Sequence, residues 1–129
     1  MLNQILTVTF LTTFLSAAVR TAIPITCAAI GETVSEKAGI INVGIEAIML
    51  SGAFFGFATL YLTNSMLMGF IGGIIAGVLC SMLHAILSIY LRQDHTVSGV
   101  ALNFLATGIT SFLFSVMVKR VGSLPQTDT

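Results

Sequence analysis

Apolar and polar positions alternate in long blocks along this chain, and each apolar block is long enough to matter by itself. About 20 consecutive, mostly apolar residues cross the hydrocarbon of a bilayer as a helix. Four stretches meet that length, near 2–31, 40–62, 66–91 and 97–118. Met66 to Leu91 is free of charge, with His84 its one titratable side chain of the histidine or acidic type, and Val97 to Val118 is also uncharged. Ile40 to Leu62 carries Glu46 near its start. The opening stretch is interrupted by Arg20 and Pro24 and carries Thr7, Thr9, Thr12 and Thr13. It reads either as one helix kinked at Pro24 or as a helix ending near Arg20 followed by a half-helix. A proline frees a carbonyl that lipid cannot satisfy, so both readings place this segment against other helices.

Polar punctuation divides the blocks. Gly31 to Gly39, GETVSEKAG, is the most polar stretch before the tail and the expected place for irregular backbone. Thr33 and Glu36 have the spacing of a capping box, which predicts a helix starting there. Thr63 to Ser65 reads as a tight turn and Arg92 to Thr96 as a polar loop, and such short connections imply antiparallel neighbours. The fold class expected is all-α, a polytopic transmembrane bundle of about four spans with a broken or kinked first segment, forming a single domain over 1–129.

Composition agrees. Of 129 residues, 56% are hydrophobic and 8% charged, against about 25% charged in a soluble domain, so too little polar surface exists to enclose a water-soluble core. Five basic and five acidic residues leave no net charge and no basic patch, which argues against nucleic acid as a partner. Lys37 and Arg92 fall on one side of the membrane and Lys119 and Arg120 on the other, so the positive-inside count sets no orientation. No basic residue precedes the first apolar run, and that run exceeds a signal core, so it is expected to remain uncleaved. Cys27 and Cys80 sit in apolar stretches without metal-ligand spacing and read as small buried hydrophobes. The polar ending Gly122 to Thr129 fits a truncated or frame-shifted reading of a longer chain.

Candidate chemistry lies in two sets of residues. Gly69, Gly73 and Gly77, and Gly52 and Gly56, recur every four residues, the spacing that lets membrane helices approach closely. They are expected to serve packing and imply no ligand. Ionisable groups at membrane depth form the second set, since a buried charge costs about 2.5–3.5 kcal/mol even on lenient scales. If the chain is helical from Ile40, Asn42 and Glu46 stand one turn apart and make a polar spot facing a cavity; otherwise Glu46 is solvated at the interface. Arg20 either answers an acidic residue or snorkels to headgroups. Glu32 and Glu36 are one turn apart if helical and read as a solvated pair. His84 is expected to be a packed histidine bonded across the bundle. Asp94 and Asn103 flank the start of the fourth span, where Asp94 suits a helix N-terminus.

The chain has no GxxxxGK[ST] phosphate loop, no HExxH and no GxSxG. It therefore lacks the parts of an ATPase or an ordinary intramembrane hydrolase, and the residues by themselves leave a transporter, channel or assembly subunit.

Three stretches together resemble the permease family of binding-protein-dependent ABC importers, in its ribose and nucleoside branch. Arg20 to Gly52, RTAIPITCAAIGETVSEKAGIINVGIEAIMLSG, has that branch's arginine, proline, GE..SE+AG, N.G.E and ML.GA pattern. His84 to Arg92, HAILSIYLR, and Asp94 to Asn103, DHTVSGVALN, follow in order and spacing. Ala47 stands where the pattern has glycine, and His95 where glutamine is common.

The resemblance implies the N-terminal half of a longer permease in the cytoplasmic membrane of a bacterium or archaeon, importing nucleosides or simple sugars. The implied partners are a second permease subunit, cytoplasmic ATP-binding subunits, an extracytoplasmic substrate-binding protein and the lipid bilayer, with no cofactor on this chain. ATP hydrolysis would belong to the partner. The expected pathway residues are Arg20, Pro24, Glu32, Glu36, Asn42 and Glu46, with Asn42 holding the uncharged substrate and Glu46 fixing it. The alternative is a self-contained four-helix transporter or channel working as a homodimer with Glu46 as its coupling carboxylate.

Overall fold

The computed structural model describes residues 8–121, so the readings made of residues 2–7 and of the 122–129 ending fall outside it. Among the described residues four helices follow in order: α1 (Val8–Lys37), α2 (Ile45–Thr63), α3 (Met66–Ala85, continued by a π-helical turn, Ile86–Tyr90) and α4 (His95–Val121). All four are long and apolar enough to cross a membrane.

Helix α1 runs unbroken through Pro24. At about 1.5 Å per residue it extends about 45 Å, more than the hydrocarbon thickness. Its hydroxyls fit this length of apolar surroundings because they fold back onto the helix. Thr13, Thr21, Thr26 and Thr33 each donate to the carbonyl four residues earlier, at 2.8 to 2.9 Å. That corrects two expectations about Gly31 to Gly39. The backbone stays helical to Lys37, and Thr33 bonds Ala29 instead of opening a new helix with Glu36. Nothing in GETVSEK forces the helix to stop; Gly39 does. It takes a left-handed φ of 82°, its N–H reaches the Glu36 carbonyl at 2.9 Å, and the Ile40 N–H reaches Ser35 at 3.0 Å, the glycine-terminated Schellman ending.

The irregular backbone thus falls at 38–44, and the second span starts at Ile45 rather than Ile40. Helix α2 ends on Asn64, whose left-handed conformation (φ 50°) and N–H to Leu60 at 2.8 Å turn the chain over Ser65 into α3. Asp94 caps α4: its carboxylate accepts from Thr96 N–H at 2.8 Å and, more weakly, Val97 N–H at 3.4 Å. These hydrogen bonds, Thr96 first and Val97 second, hold the Asp94 carboxyl below its ordinary value.

Helices α2 and α3 form an antiparallel hairpin in which glycine faces glycine. A Cβ on Gly73 would lie 3.0 Å from the Gly52 carbonyl, one on Gly56 3.2 Å from the Gly69 carbonyl, and one on Gly69 2.8 Å from Leu60 Cβ. Gly72 is equally closed off, by Thr59. Gly77 is looser, with Ile48 at 3.9 Å. Helix α4 lies along α2 and runs parallel to it, burying Ala47, Leu102 and Ala106, with Cys80 of α3 packed against them. Among the described residues helix α1 touches the start of the next span near its Lys37 end and buries none of its own residues. The expectation that it sits against other helices is therefore not met within this chain, and Cys27 is exposed rather than buried, while Cys80 is half-buried.

Candidate functional site

Because α1 and α3 end, and α2 and α4 begin, at one end of the bundle, the polar residues at those four helix ends meet. Glu32 comes from the last turns of α1, Asn42 and Gly44 from the 38–44 segment, and Glu46 and Ala47 from the first turn of α2. His84 and Ser88 come from the end of α3 and its π turn, and His95, Ser98, Gly99 and Asn103 from the first turns of α4. The three stretches that carry the family resemblance converge here.

Two hydrogen-bonded links tie the 38–44 segment and the start of α2 to α1 and α4. In the first, Glu32 Oε1 accepts the Asn42 N–H at 2.9 Å, tying α1 to the segment after it. In the second, the Asn103 side chain spans α4 and α2: Oδ1 accepts the Ala47 N–H at 2.9 Å, and Nδ2 donates to the Val43 carbonyl at 3.3 Å and to Glu46 Oε2 at 3.5 Å. The Ala47 N–H is one of the four donors that a helix start leaves unpaired, so Asn103 acts as a cap supplied from another helix. Ala47 is only 1% exposed, which explains why a small residue stands there. Gly99 permits the approach: a Cβ on it would lie 2.8 Å from the Gly44 nitrogen and 2.9 Å from the Val43 carbonyl carbon.

His84 is 3% exposed. It bonds Ser88 on its own helix, at 3.5 Å, and reaches α4 only through Ser88, whose Oγ is 3.1 Å from Ser98 Oγ. The expected direct bond across the bundle is replaced by this relay, in which Ser88, one turn on from His84, is the side chain that meets Ser98.

The expected pathway residues are not gathered in one place. Glu32 and Asn42 are joined, but by carboxylate to backbone N–H. Asn42 precedes α2, so it and Glu46 are not one turn apart on a helix face, and Glu46 is exposed at the rim beside Asn103. Glu36 is exposed on the last turn of α1. Arg20 and Pro24 lie well away along α1, where Arg20 shares a hollow with Thr12, Thr13 and Ser16. Sequence reading passed over Ser88, Ser98 and Gly99; the i, i+4 spacing of His84 and Ser88 and the small residues of HTVSG were the available signals.

A groove of about 680 Å³ opens between α3 and α4, floored by α2. Phe55, Ile75, Leu79, Leu105 and Ile109 make it apolar, and the Thr59 hydroxyl on its floor is already bonded to the Phe55 carbonyl at 2.7 Å. Such a surface suits acyl chains or another helix and offers little to a sugar hydroxyl. Among the described residues no group of three or more His, Cys, Asp or Glu side chains is placed to hold a metal ion.

Comparison with known proteins gives a consistent set. Residues 14–129 match the family described as "Branched-chain amino acid transport system / permease component". The chain is 39% identical over 113 residues to a protein of Haloferax volcanii named "Putative glucose ABC transporter permease protein", covering 87% of this chain and 34% of that one. It is 39% identical over 103 residues to a nucleoside ABC transporter permease protein of Lactococcus lactis (75% and 32%) and 37% identical over 117 residues to a guanosine ABC transporter permease protein of Bacillus subtilis (83% and 34%). The chain spans about a third of the length of these curated relatives, a smaller share than a half. No solved structure matches it.

Proposed function

Since the chain belongs to the permease family of branched-chain amino acid transport systems, we propose that it forms part of the membrane-spanning subunit of an ABC importer for nucleosides or simple sugars. The observation that carries this reading is the naming of its relatives for guanosine, nucleosides and glucose, at 37 to 39% identity over most of this chain. The partners proposed are a second permease subunit, cytoplasmic ATPases and an extracytoplasmic binding protein.

Within the chain, the proposed division of labour follows the physics. The helix-end cluster fixes how α1, α2, α3 and α4 meet, since its hydrogen bonds are made between elements. The pathway is lined by the polar face of α1, with Thr13, Ser16, Arg20 and Pro24. An arginine part-way along an apolar helix is costly against lipid and is expected to face protein or water. The backbone acceptor at Arg20 that Pro24 leaves without its donor points to the same surroundings.

The test is uptake into proteoliposomes holding the permease, its ATPase and its binding protein. ATP-dependent accumulation of labelled guanosine or glucose is expected. Uptake that needs neither ATP nor the partners would replace this reading with the self-contained homodimeric transporter. Cysteine placed at Ser16 in the assembled transporter is expected to react with water-borne thiol reagents, and its complete protection from both sides would remove α1 from the pathway.

A further inference from the structure

The groove between α3 and α4 runs along α3 from Leu83 to Met68, about 15 residues or about 22 Å. Its volume of about 680 Å³ over that length corresponds to a cross-section of about 30 Å². An α-helix with its side chains, about 10–12 Å across, fills roughly three times that. The residues of the groove point the same way. Membrane helices approach one another through small residues, and Gly52, Gly56, Gly69 and Gly73 are already taken up between α2 and α3. Bulky side chains, Met68, Ile75 and Leu79 on α3 and Leu105 and Ile109 on α4, are exposed along the groove, while the small Ala76 and Ala106 lie deeper. Bulky edges over a small floor hold off a helix and leave room for a thin chain.

The two ends of the groove differ in chemistry. At the helix-end cluster α3 and α4 are joined, Cys80 packing against Leu102 and Ala106 and Ser88 meeting Ser98. At the far end, toward the turn at Thr63 to Ser65, stands a cation. The bond from the Ala47 N–H to Asn103 sets α2 and α4 at one level. About 16 residues on from each lie Thr63 and Lys119, so Lys119 shares the level of the turn, about 6 Å beyond Thr59 at the end of the groove. Lys119 also follows Leu105 by about four turns, which puts it within about 40° of the same helix face. It is exposed, and among the described residues every carboxylate, those of Glu32, Glu36, Glu46 and Asp94, belongs to the opposite end of the bundle.

We propose that this groove binds a phospholipid, with one acyl chain lying between α3 and α4 over Ala76 and Ala106 and the phosphate at the Lys119 ammonium. The chain gains no hydrophobic drive by leaving bulk lipid. It supplies the dispersion contacts that the walls of an unfilled slot lack, and the lysine adds attraction for an anionic head group. A net-anionic phospholipid is therefore preferred to a zwitterionic one. Once bound, it acts as a wedge that keeps α3 and α4 apart over the part of their length away from the cluster. None of this depends on the cargo proposed above.

The test is made on the protein in nanodiscs of phosphatidylcholine containing a little phosphatidylglycerol with a photoreactive diazirine midway along one acyl chain, the labelled residues being located by peptide mass spectrometry. Label is expected to concentrate on Ile75, Leu79, Leu105 and Ile109 over Leu67, Val78 and Phe104, which are also exposed but lie off the groove. Unlabelled phosphatidylglycerol should displace it about fivefold better than added phosphatidylcholine, the factor that one lysine near a membrane surface supplies. Lys119→Gln should abolish that preference and leave the chain in the groove. Ala76→Phe should fill the groove and lower its labelling to that of the other faces; should that variant not fold, the exposed Lys119→Gln still decides the matter. Label spread evenly over all exposed apolar faces would overturn the proposal, as would equal displacement by the two lipids or a preference that survives Lys119→Gln. The same labelling, with the lipid exchanged into discs cut from the native membrane, should persist; its loss there would give the groove to a helix of a partner protein and overturn the proposal equally.

Discussion

Helices α1 and α2 are about equally apolar, yet the chain grips one along its length and leaves the other open. Helix α2 has α3 pressed into its Gly52 and Gly56 face and α4 laid over Ala47 and Ser51. Helix α1 has phenylalanines, threonines and an arginine on open faces, and only the region of Glu32 is engaged. Hydropathy therefore decides which segments enter the membrane, and small residues decide which of them associate there, because lipid rewards apolar surface as well as another helix does.

Substitutions that close the glycine contacts should separate the two regions most sharply. Gly99→Val drives a side chain into the backbone of Val43 and Gly44, and Gly73→Leu does the same against Gly52; each is expected to cost about 3 kcal/mol, the upper end of ordinary overpacking. Thermal unfolding in detergent measures this, and unchanged midpoints would show that the hairpin is not set by close approach. Asn103→Leu should cost about 2 kcal/mol by leaving the Ala47 N–H buried without an acceptor. Hydrogen exchange at that amide reads the same loss directly.

Weaker substitutions sharpen the contrast from the other side. Phe14→Ala on the open face of α1 and Gly77→Ala, where the nearest neighbour is 3.9 Å away, should each change stability by less than about 0.5 kcal/mol. A large loss from Phe14→Ala in this chain by itself would mean that α1 is gripped after all. The smallest effect expected is at Asp94. Its carboxyl is depressed by the Thr96 and Val97 N–H groups, so the stabilisation of α4 is present above the ordinary carboxylate value and fades as pH falls through the lowered one. Circular dichroism of Asp94→Asn, which keeps the acceptor without the titration, should show that component gone.

Much of this architecture is legible in the residues. Four spans follow from length and charge, and the turn at Thr63 to Ser65 falls where Asn64 reverses the chain. Helix ends are less legible. The polarity of GETVSEK resembles a break, yet Thr33 satisfies its hydroxyl within the helix and the chain turns only where Gly39 can take a positive φ. The helix-end cluster is least legible of all. Ser88 meets Ser98 and Asn103 meets Ala47 only because three helix ends share one level, a fact of tertiary arrangement that no local spacing encodes. The family resemblance picked out those stretches as motifs without saying that they touch.

The two-residue reversal at Asn64 and Ser65 also limits how this hairpin can change in length. A single residue inserted in α2 between Gly56 and Asn64 would turn everything before it by about 100° relative to α3 and put bulky side chains where Gly52 and Gly56 now lie. Four inserted residues return the face to within about 40°. Viable length variants of this segment should therefore come in whole turns, and single-residue insertions and deletions should collect instead in the open half of α1.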